Sequence, residues 1–201
     1  MSQQPSATVI VCTRNRAALL RRCLQHISRL DYHNFTVLVV DNGSTDSTAQ
    51  VARDFGADYL YVPQPGLSRA RNAGARHATS DIVAYIDDDA IPREDWLAAL
   101  AREFEDPSVM VVAGDYQLPG TTLVESSAHR MVVDRSTPDW LPITAFGGVG
   151  SGSCMAFRHA AFNTWPGFDE RFGRGSIVPT AEEHLAFLSL CAMGYRCVYT
   201  P

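Results

Sequence analysis

The sequence has no segment that would carry the chain into or across a membrane. Its longest apolar runs, such as residues 37–40 and 109–113, are far shorter than the about 20 residues that a membrane-spanning helix needs. The first residues, MSQQP, have neither the basic nor the apolar part of a signal peptide. We therefore expect a cytoplasmic protein with no integral membrane segment, and attachment to the inner face of a membrane stays open.

Positive charge is also scarce. The chain of 201 residues has 17 Lys and Arg against 22 Asp and Glu, a net charge of −5. Proteins that bind nucleic acid through its phosphates normally carry an excess of basic side chains, so no nucleic-acid partner is expected. The five cysteines form no C-x-x-C motif, and their apolar surroundings predict buried thiols rather than disulfides or a zinc site.

Glycine-rich phosphate-binding motifs are missing as well. The predicted first strand is followed by TRNR at residues 13–16, where a dinucleotide-binding fold would carry G-x-G-x-x-G. The P-loop pattern does not occur either. A phosphate group held by this chain would need another source of positive charge, and a divalent cation on carboxylates is the natural candidate.

The first half of the chain alternates between two hydrophobic patterns. Continuous apolar runs predict buried strands, and apolar residues every three or four positions predict helices. Strands are predicted at residues 7–12, 35–40, 59–62, 82–86 and 109–113, and helices at 17–30, 45–55, 67–77 and 92–105. This alternation predicts an α/β fold in which helices flank a mostly parallel central sheet.

The second half is less regular. Residues 115–148 contain three prolines and no clear period, which favours loops and short pieces over the sheet. Beyond them we predict a strand at 153–157, a short helix at 159–164, a helix at 181–193 and a strand at 196–199. The chain stops just after that strand, so we expect either a truncated C-terminus or an unusually short protein.

Polar side chains follow three of the predicted strands. Thr13, Arg14 and Asn15 follow the first strand, Asp41 and Asn42 the second, and three consecutive aspartates at 87–89 the fourth. In open α/β sheets, ligands bind beyond the carboxyl ends of the strands. Adjacent carboxylates repel one another unless a cation or donors lie between them, so the triplet predicts a site for Mg²⁺ or Mn²⁺.

Several longer motifs occur along the chain in a fixed order. They are VIVCTRNR at 9–16, VVDNGSTD at 39–46, GLSRARNAG at 66–74, YIDDD at 85–89, Arg158, GFDERF at 167–172, and Glu182 with Glu183. Together they resemble the motifs of the family 2 glycosyltransferases. The resemblance covers nearly the whole chain. It implies a single domain of the GT-A fold, the Rossmann-like fold of nucleotide-diphospho-sugar transferases, with a nucleotide-sugar half at 1–114 and an acceptor half at 115–201.

The resemblance also implies an inverting transfer of sugar from a nucleoside-diphosphate sugar (UDP-, GDP- or dTDP-linked) to an acceptor hydroxyl. The metal ligands would be Asp87 and Asp89, with Mn²⁺ or Mg²⁺ as cofactor. Glu183 would be the general base and Glu182 its neighbour. The nucleotide would be bound by Thr13, Arg14, Asn15, Asp41, Arg71 and Asp88.

Other interpretations of these residues stay open. An acidic pair such as Glu182 and Glu183 can simply stabilise a helix N-terminus. Arg69 and Arg71 can lie on a solvated helix face instead of reaching a phosphate. At the level of the protein, a transferase-like module that binds a nucleotide sugar without turnover is one alternative. A nucleotidyltransferase is another, although it would typically have a glycine-rich loop after the first strand.

Overall fold

The computed structural model describes residues 4–114 and 129–201. Expectations that concern residues 115–128 fall outside this part of the chain. The described residues form one mixed sheet of eight strands with helices packed on both faces. The expected α/β fold with a largely parallel sheet is confirmed.

The elements follow one another in the predicted order. The strands are β1 (Ala7–Thr13), β2 (Phe35–Asp41), β3 (Asp58–Tyr61), β4 (Ile82–Asp87), β5 (Val109–Gly114), β6 (Met131–Val133), β7 (Cys154–Arg158) and β8 (Arg196–Thr200). The helices are α1 (Ala17–Ile27), α2 (Thr48–Asp54), α3 (Leu67–His77), α4 (Trp96–Glu103), α5 (Trp140–Ala145) and α6 (Glu182–Ala192), and a 3₁₀ helix spans His159–Asn163. The longest of these helices have 11 residues, so within the described residues none can span a bilayer.

The strand order is β3-β2-β1-β4-β7-β5-β8-β6. Strands β1 to β4 pair in parallel, so β1, β2 and β4 end at the same edge of the sheet. Strand β7 runs antiparallel between β4 and β5. The sequence predicts that β7 is a strand, but not that it lies between β4 and β5, because the local hydrophobic pattern does not specify which strands are neighbours in a sheet.

Two helices begin later than predicted. The pattern places Pro92 in the first turn of α4, but the helix begins at Trp96. Before it, the backbone closes a turn in which Trp96 N–H donates to the carbonyl of Arg93. Helix α2 begins at Thr48 rather than at 44 or 45, because the Ser44 N–H donates to Asp41 and the Ser44 hydroxyl accepts from Asn15 N–H. Those residues hold the loop at the sheet edge instead of starting the helix.

Two apolar clusters cover the two faces of the sheet. In the second, Phe157 of β7 stacks on Trp165 at 5.5 Å with an interplanar angle of 10°, and Phe168 meets Tyr85 edge to face at 5.6 Å. Burial of such rings is a large stabilising contribution. The cluster fixes residues 165–168 against β4 and so places the segment that leads to α6.

Candidate active site

The carboxyl ends of β1, β2 and β4 surround a cleft with a volume of about 220 Å³. Its lining comes from both halves of the sequence. The first half contributes Thr13, Arg14, Arg16, Asn42, Asp87, Asp88 and the start of α3, and the second half contributes Arg174 and Gly175. Four of the ten predicted site residues, Thr13, Arg14, Asp87 and Asp88, therefore line one depression at the sheet edge.

Asp41 is buried at the end of β2. Its Oδ1 accepts from the Ser44 N–H at 2.7 Å, and its Oδ2 accepts from the Tyr59 hydroxyl at 2.6 Å. Asn15 has a left-handed backbone (φ 54°), and its Oδ1 accepts from the Thr45 N–H at 2.7 Å. Asp41 and Asn15 thus brace the loops that follow β1 and β2.

Asp88 and Thr13 are in direct contact, although 75 residues separate them. The Thr13 hydroxyl donates to Asp88 Oδ2 at 2.6 Å, and the Arg16 guanidinium pairs with Asp88 Oδ1 at 2.8 Å. The Asp88 side chain is only 3% exposed. Burial raises the pKa of Asp88, while the Thr13 hydrogen bond and the Arg16 charge oppose that rise.

Asp87 and Asp89 are more open, with 38% and 46% of their side chains exposed. Asp89 pairs with Arg16 at 2.6 Å. Desolvation raises the pKa of Asp87, and the charge of Arg71 counteracts it. Asp87 lines the cleft, and Asp89 lies beside it through its contact with the cleft residue Arg16.

The described residues supply no group of three or more His, Cys, Asp or Glu side chains arranged to hold a metal ion. Mg²⁺ is commonly held by one or two carboxylates together with substrate phosphates. Two exposed carboxylates beside a cleft fit that kind of site. They do not fit a metal site built from protein ligands alone.

Arg71 lies on the inner side of α3 and is 3% exposed. Its Nη1 donates to Glu182 Oε1 at 2.7 Å, and its Nη2 donates to the Gly152 carbonyl at 3.1 Å. The Nη2 atom also lies 3.6 Å from Asp87 Oδ1. Arg71 therefore joins the aspartate triplet to the start of α6, and its guanidinium is committed to protein groups.

Glu183 is next to this ion pair in the first turn of α6. Its Oε2 is buried and has no hydrogen-bond partner among the described residues, whereas Glu182 Oε1 pairs with Arg71. A methyl group added at Gly152 would lie 3.4 Å from the Glu183 carboxyl carbon and 3.0 Å from Arg71 Nη2. Ala181 is the N-cap of α6, and its backbone is left-handed (φ 68°). An unpartnered buried carboxylate oxygen is costly, so it marks a place where a hydrogen-bond donor is expected.

Three cleft residues are not among the predicted site residues, although the sequence places Asn42 with Asp41 at the end of β2. Asn42 donates to the carbonyls of Val62 and Gln64 and accepts from the Gly66 N–H at 2.8 Å, which fixes the start of α3. An Asn followed by Gly reads as a turn residue, so this role gave no signal. Arg16 and Arg174 gave none either, because their place depends on tertiary structure.

Comparison with known proteins identifies the family of this chain. The profile of the family described as "Glycosyl transferase family 2" matches residues 8–165. The chain belongs to glycosyl transferase family 2. Among curated relatives, it is 30% identical over 188 residues to the pre-mycofactocin glycosyltransferase of Mycobacterium tuberculosis, covering 85% of this chain and 37% of the relative. It is 32% identical over 124 residues to glycosyltransferase AglE of Haloferax volcanii, covering 58% and 41%.

Solved structures of similar fold include the mannosyltransferase PcManGT from Pyrobaculum calidifontis, in complex with GDP-Man and Mn²⁺. The TM-score is 0.75 with 26% identity, over 100% of this chain and 56% of that one. S. aureus TarS has the same fold, with a TM-score of 0.77, 20% identity and coverage of 97% and 58%. These are GT-A glycosyltransferases, so the expected GT-A fold is confirmed. The chain spans less than half the length of the two curated relatives above.

Proposed function

We propose that this domain transfers a sugar from a nucleoside-diphosphate sugar to an acceptor hydroxyl with inversion at the anomeric carbon. The observation that carries the proposal is the buried Oε2 of Glu183, for which the part of the chain that the structure describes supplies no hydrogen-bond partner. Glu183 is the neighbour of Glu182 in the sequence. Arg71 pairs with Glu182 and also lies near Asp87, so it connects this part of α6 to the cleft. Family membership gives the reaction class, and the cleft supports its division into a donor side and an acceptor side.

The donor half of the proposal rests on residues 1–114. Asp41 and Thr13 would contact the base or ribose, with Arg14 and Asn15 beside them, and Asp88 would lie on the ribose side. Asp87 and Asp89 would hold Mn²⁺ or Mg²⁺ together with the diphosphate. PcManGT, at 26% identity, was solved with GDP-Man and Mn²⁺, which supports this donor class and cofactor.

The bound cation would supply positive charge to the departing diphosphate oxygen. Arg71 is committed to Glu182 and Gly152, so we assign it the positioning of α6 rather than contact with the nucleotide. The cleft-lining arginines with no ion pair among the described residues are Arg14 and Arg174, and they are free to meet phosphate oxygens.

The acceptor half of the proposal rests on Glu183. The acceptor oxygen would bond to the anomeric carbon as the bond from that carbon to the diphosphate breaks. The acceptor proton would pass to Glu183, whose Oε2 has no hydrogen-bond partner among the described residues and is therefore the oxygen available to take it. Attack opposite the leaving group inverts the anomeric centre.

A thermal-shift screen tests the donor claim. UDP, GDP and dTDP are each added with and without Mn²⁺, and a ligand that binds only the folded state raises the melting temperature. At least one diphosphate should do so, and more strongly with Mn²⁺. If none shifts the transition, the proposed donor site is wrong.

Turnover tests the catalytic claim. Hydrolysis or transfer of the matching nucleotide sugar with Mn²⁺ should be lost in Asp89→Ala and Glu183→Gln. Glu183→Gln should keep the nucleotide-induced thermal shift, because the change is isosteric and lies away from the nucleotide. Binding that never leads to turnover with any acceptor would instead favour a nucleotide-sugar-binding module.

A further inference from the structure

Arg16 bridges two of the three aspartates. Its Nη1 lies 2.8 Å from Asp88 Oδ1 and its Nη2 lies 2.6 Å from Asp89 Oδ2. The backbone of Arg16 is fixed as the N-cap of α1, where its carbonyl accepts from Leu19 and Leu20. Its side chain is 33% exposed and lines the cleft. The backbone of Arg16 is therefore fixed, while solvent and a ligand in the cleft can reach its guanidinium.

The two carboxylates that Arg16 bridges are not equivalent. Asp88 is buried and keeps a second donor in Thr13. Asp89 is half-exposed, and Arg16 is the partner that the structure gives it among the described residues. Loss of Arg16 would therefore leave Asp88 with one hydrogen bond and Asp89 open to solvent. Of the two contacts, the one to Asp89 is the easier to exchange.

The Asp89 contact places a guanidinium on the carboxylate that the proposed function assigns to the cation. The guanidinium pairs with Asp89 Oδ2 at 2.6 Å, and it would repel a metal ion that approached the same carboxylate, since both are positive. Arginine binds phosphate with the same planar fork that it uses for carboxylates. The chain contains no lysine, so arginine is the only side chain with a permanent positive charge here.

We propose that Arg16 is a placeholder cation: it holds Asp89 while the donor site is empty and moves to the diphosphate when a metal-bound nucleotide takes Asp89. This inference rests on the proposed function and adds a diphosphate-binding residue to it. It makes metal and nucleotide bind cooperatively. A metal ion that binds alone must break the Arg16–Asp89 pair and offers the guanidinium no other anion. A metal–nucleotide complex also breaks the pair, but its diphosphate is a new anion for the guanidinium.

Mn²⁺ titration followed by the electron paramagnetic resonance of the free ion tests this without any turnover. It is done with and without the nucleoside diphosphate that gives the largest thermal shift. In the wild type, the nucleotide should tighten Mn²⁺ binding by about tenfold or more, within the usual range of coupling between sites. In Arg16→Gln, Mn²⁺ alone should bind more tightly than to the wild type, and the enhancement by nucleotide should shrink severalfold.

Arg21→Gln is the matched control. It removes the same charge from the same helix and breaks a pair of similar length, 2.8 Å to Asp54, away from the cleft. Its Mn²⁺ affinity should equal that of the wild type. Arg16→Lys keeps the charge but loses the two-pronged contact, so its coupling should fall between wild type and Arg16→Gln, and it serves if the Gln variant does not fold.

The outcomes separate the two claims. If wild type binds Mn²⁺ with nucleotide but Arg16→Gln binds Mn²⁺ alone no more tightly, the placeholder is overturned and the proposed function stands. An unchanged nucleotide enhancement in Arg16→Gln overturns it equally, because the guanidinium then gives nothing to the diphosphate. If the wild type binds neither Mn²⁺ nor any nucleoside diphosphate, the proposed function fails and the inference fails with it.

Discussion

Arg71 of α3 and Glu182 of α6 form an ion pair of 2.7 Å that is buried at both ends. The two residues are 111 positions apart in the sequence. Two charges at such a site stabilise the fold only as a pair, since either one alone would keep its cost of desolvation. The pair therefore ties the helix that starts at the cleft to the helix that carries Glu183.

Removal of one partner should be strongly destabilising. We expect Arg71→Gln to lower the free energy of unfolding by about 3–5 kcal/mol, because Glu182 is left buried and uncompensated. Urea denaturation followed by circular dichroism measures it. Arg93→Gln, which breaks an exposed pair with Asp95, is the control and should change little. Equal effects of the two variants would show that the buried pair is not a structural tie.

Gly152 lies between Arg71 and Glu183, where any added side-chain atom would push against both of them. The added methyl group of Gly152→Ala would be 3.0 Å from Arg71 Nη2 and 3.4 Å from the Glu183 carboxyl carbon. We expect kcat to fall by about tenfold or more through misplacement of the base, while the nucleotide-induced thermal shift is kept. Steady-state kinetics with the best donor measures it. Ser153→Ala, whose hydroxyl contacts Ser151, should behave as wild type, and a Gly152→Ala enzyme of normal kcat would contradict the placement of Glu183.

Tyr59 supports Asp41 from the neighbouring strand. Tyr59→Phe removes the 2.6 Å hydrogen bond to Asp41 Oδ2 and leaves a buried carboxylate with one donor fewer. A lost bond of this kind costs about 1–3 kcal/mol, and the free energy of unfolding should fall by that order. Nucleoside diphosphate affinity, measured by calorimetry, should fall as well if Asp41 contacts the nucleotide. If the variant loses stability but keeps its nucleoside diphosphate affinity, Asp41 does not contact the nucleotide.

Asp169 gives a direct test of local electrostatics. Hydrogen bonds from Arg171, first its side chain and then its backbone, lower the pKa of Asp169 to about 2. Since the pKa is lower in the folded state, its stabilising contribution is present above about pH 4, the ordinary Asp pKa, and is lost as the pH falls toward 2. Carboxyl ¹³C NMR should show a midpoint near 2 in the wild type. In Arg171→Gln the midpoint should move up toward the ordinary value, and a midpoint that stays put would rule out the Arg171 contact in solution.

The parts of the fold that follow from local pattern were predicted well. Helix α3 has the predicted ends at Leu67 and His77, and β1, β2 and β4 each extend one residue beyond the predicted range. That one residue matters, because Thr13, Asp41 and Asp87 are the last residues of their strands. Convergence of these strand ends was predicted from the parallel sheet. The late start of α4 was missed, because the turn before it depends on contacts that proline statistics do not contain.

The sequence pointed to many of the site residues, but it did not predict which of them contact one another. Sequence patterns pointed to Asp88 and Thr13 separately, and the structure brings them to 2.6 Å. The same patterns suggested Arg71 for the nucleotide, whereas its buried position gives it Glu182 as partner. The prediction missed this partner because Arg71 is buried. The pattern of α3, in which Arg alternates with small residues, does not show which Arg side chains are buried. The roles of the individual site residues remain predictions for the experiments above.

The antiparallel strand β7 has a consequence for how this chain can be divided. Strand β5 belongs to the first half of the sequence, yet it reaches the sheet only through β7 and β8 of the second half. A fragment that ended at Gly114 would leave β4 with an unpaired edge and β5 with no neighbour, and unpaired edges invite association with other chains. Gene fusions, split reporters and exchanges of acceptor specificity between relatives should therefore keep residues 82–114 together with the strands that follow them.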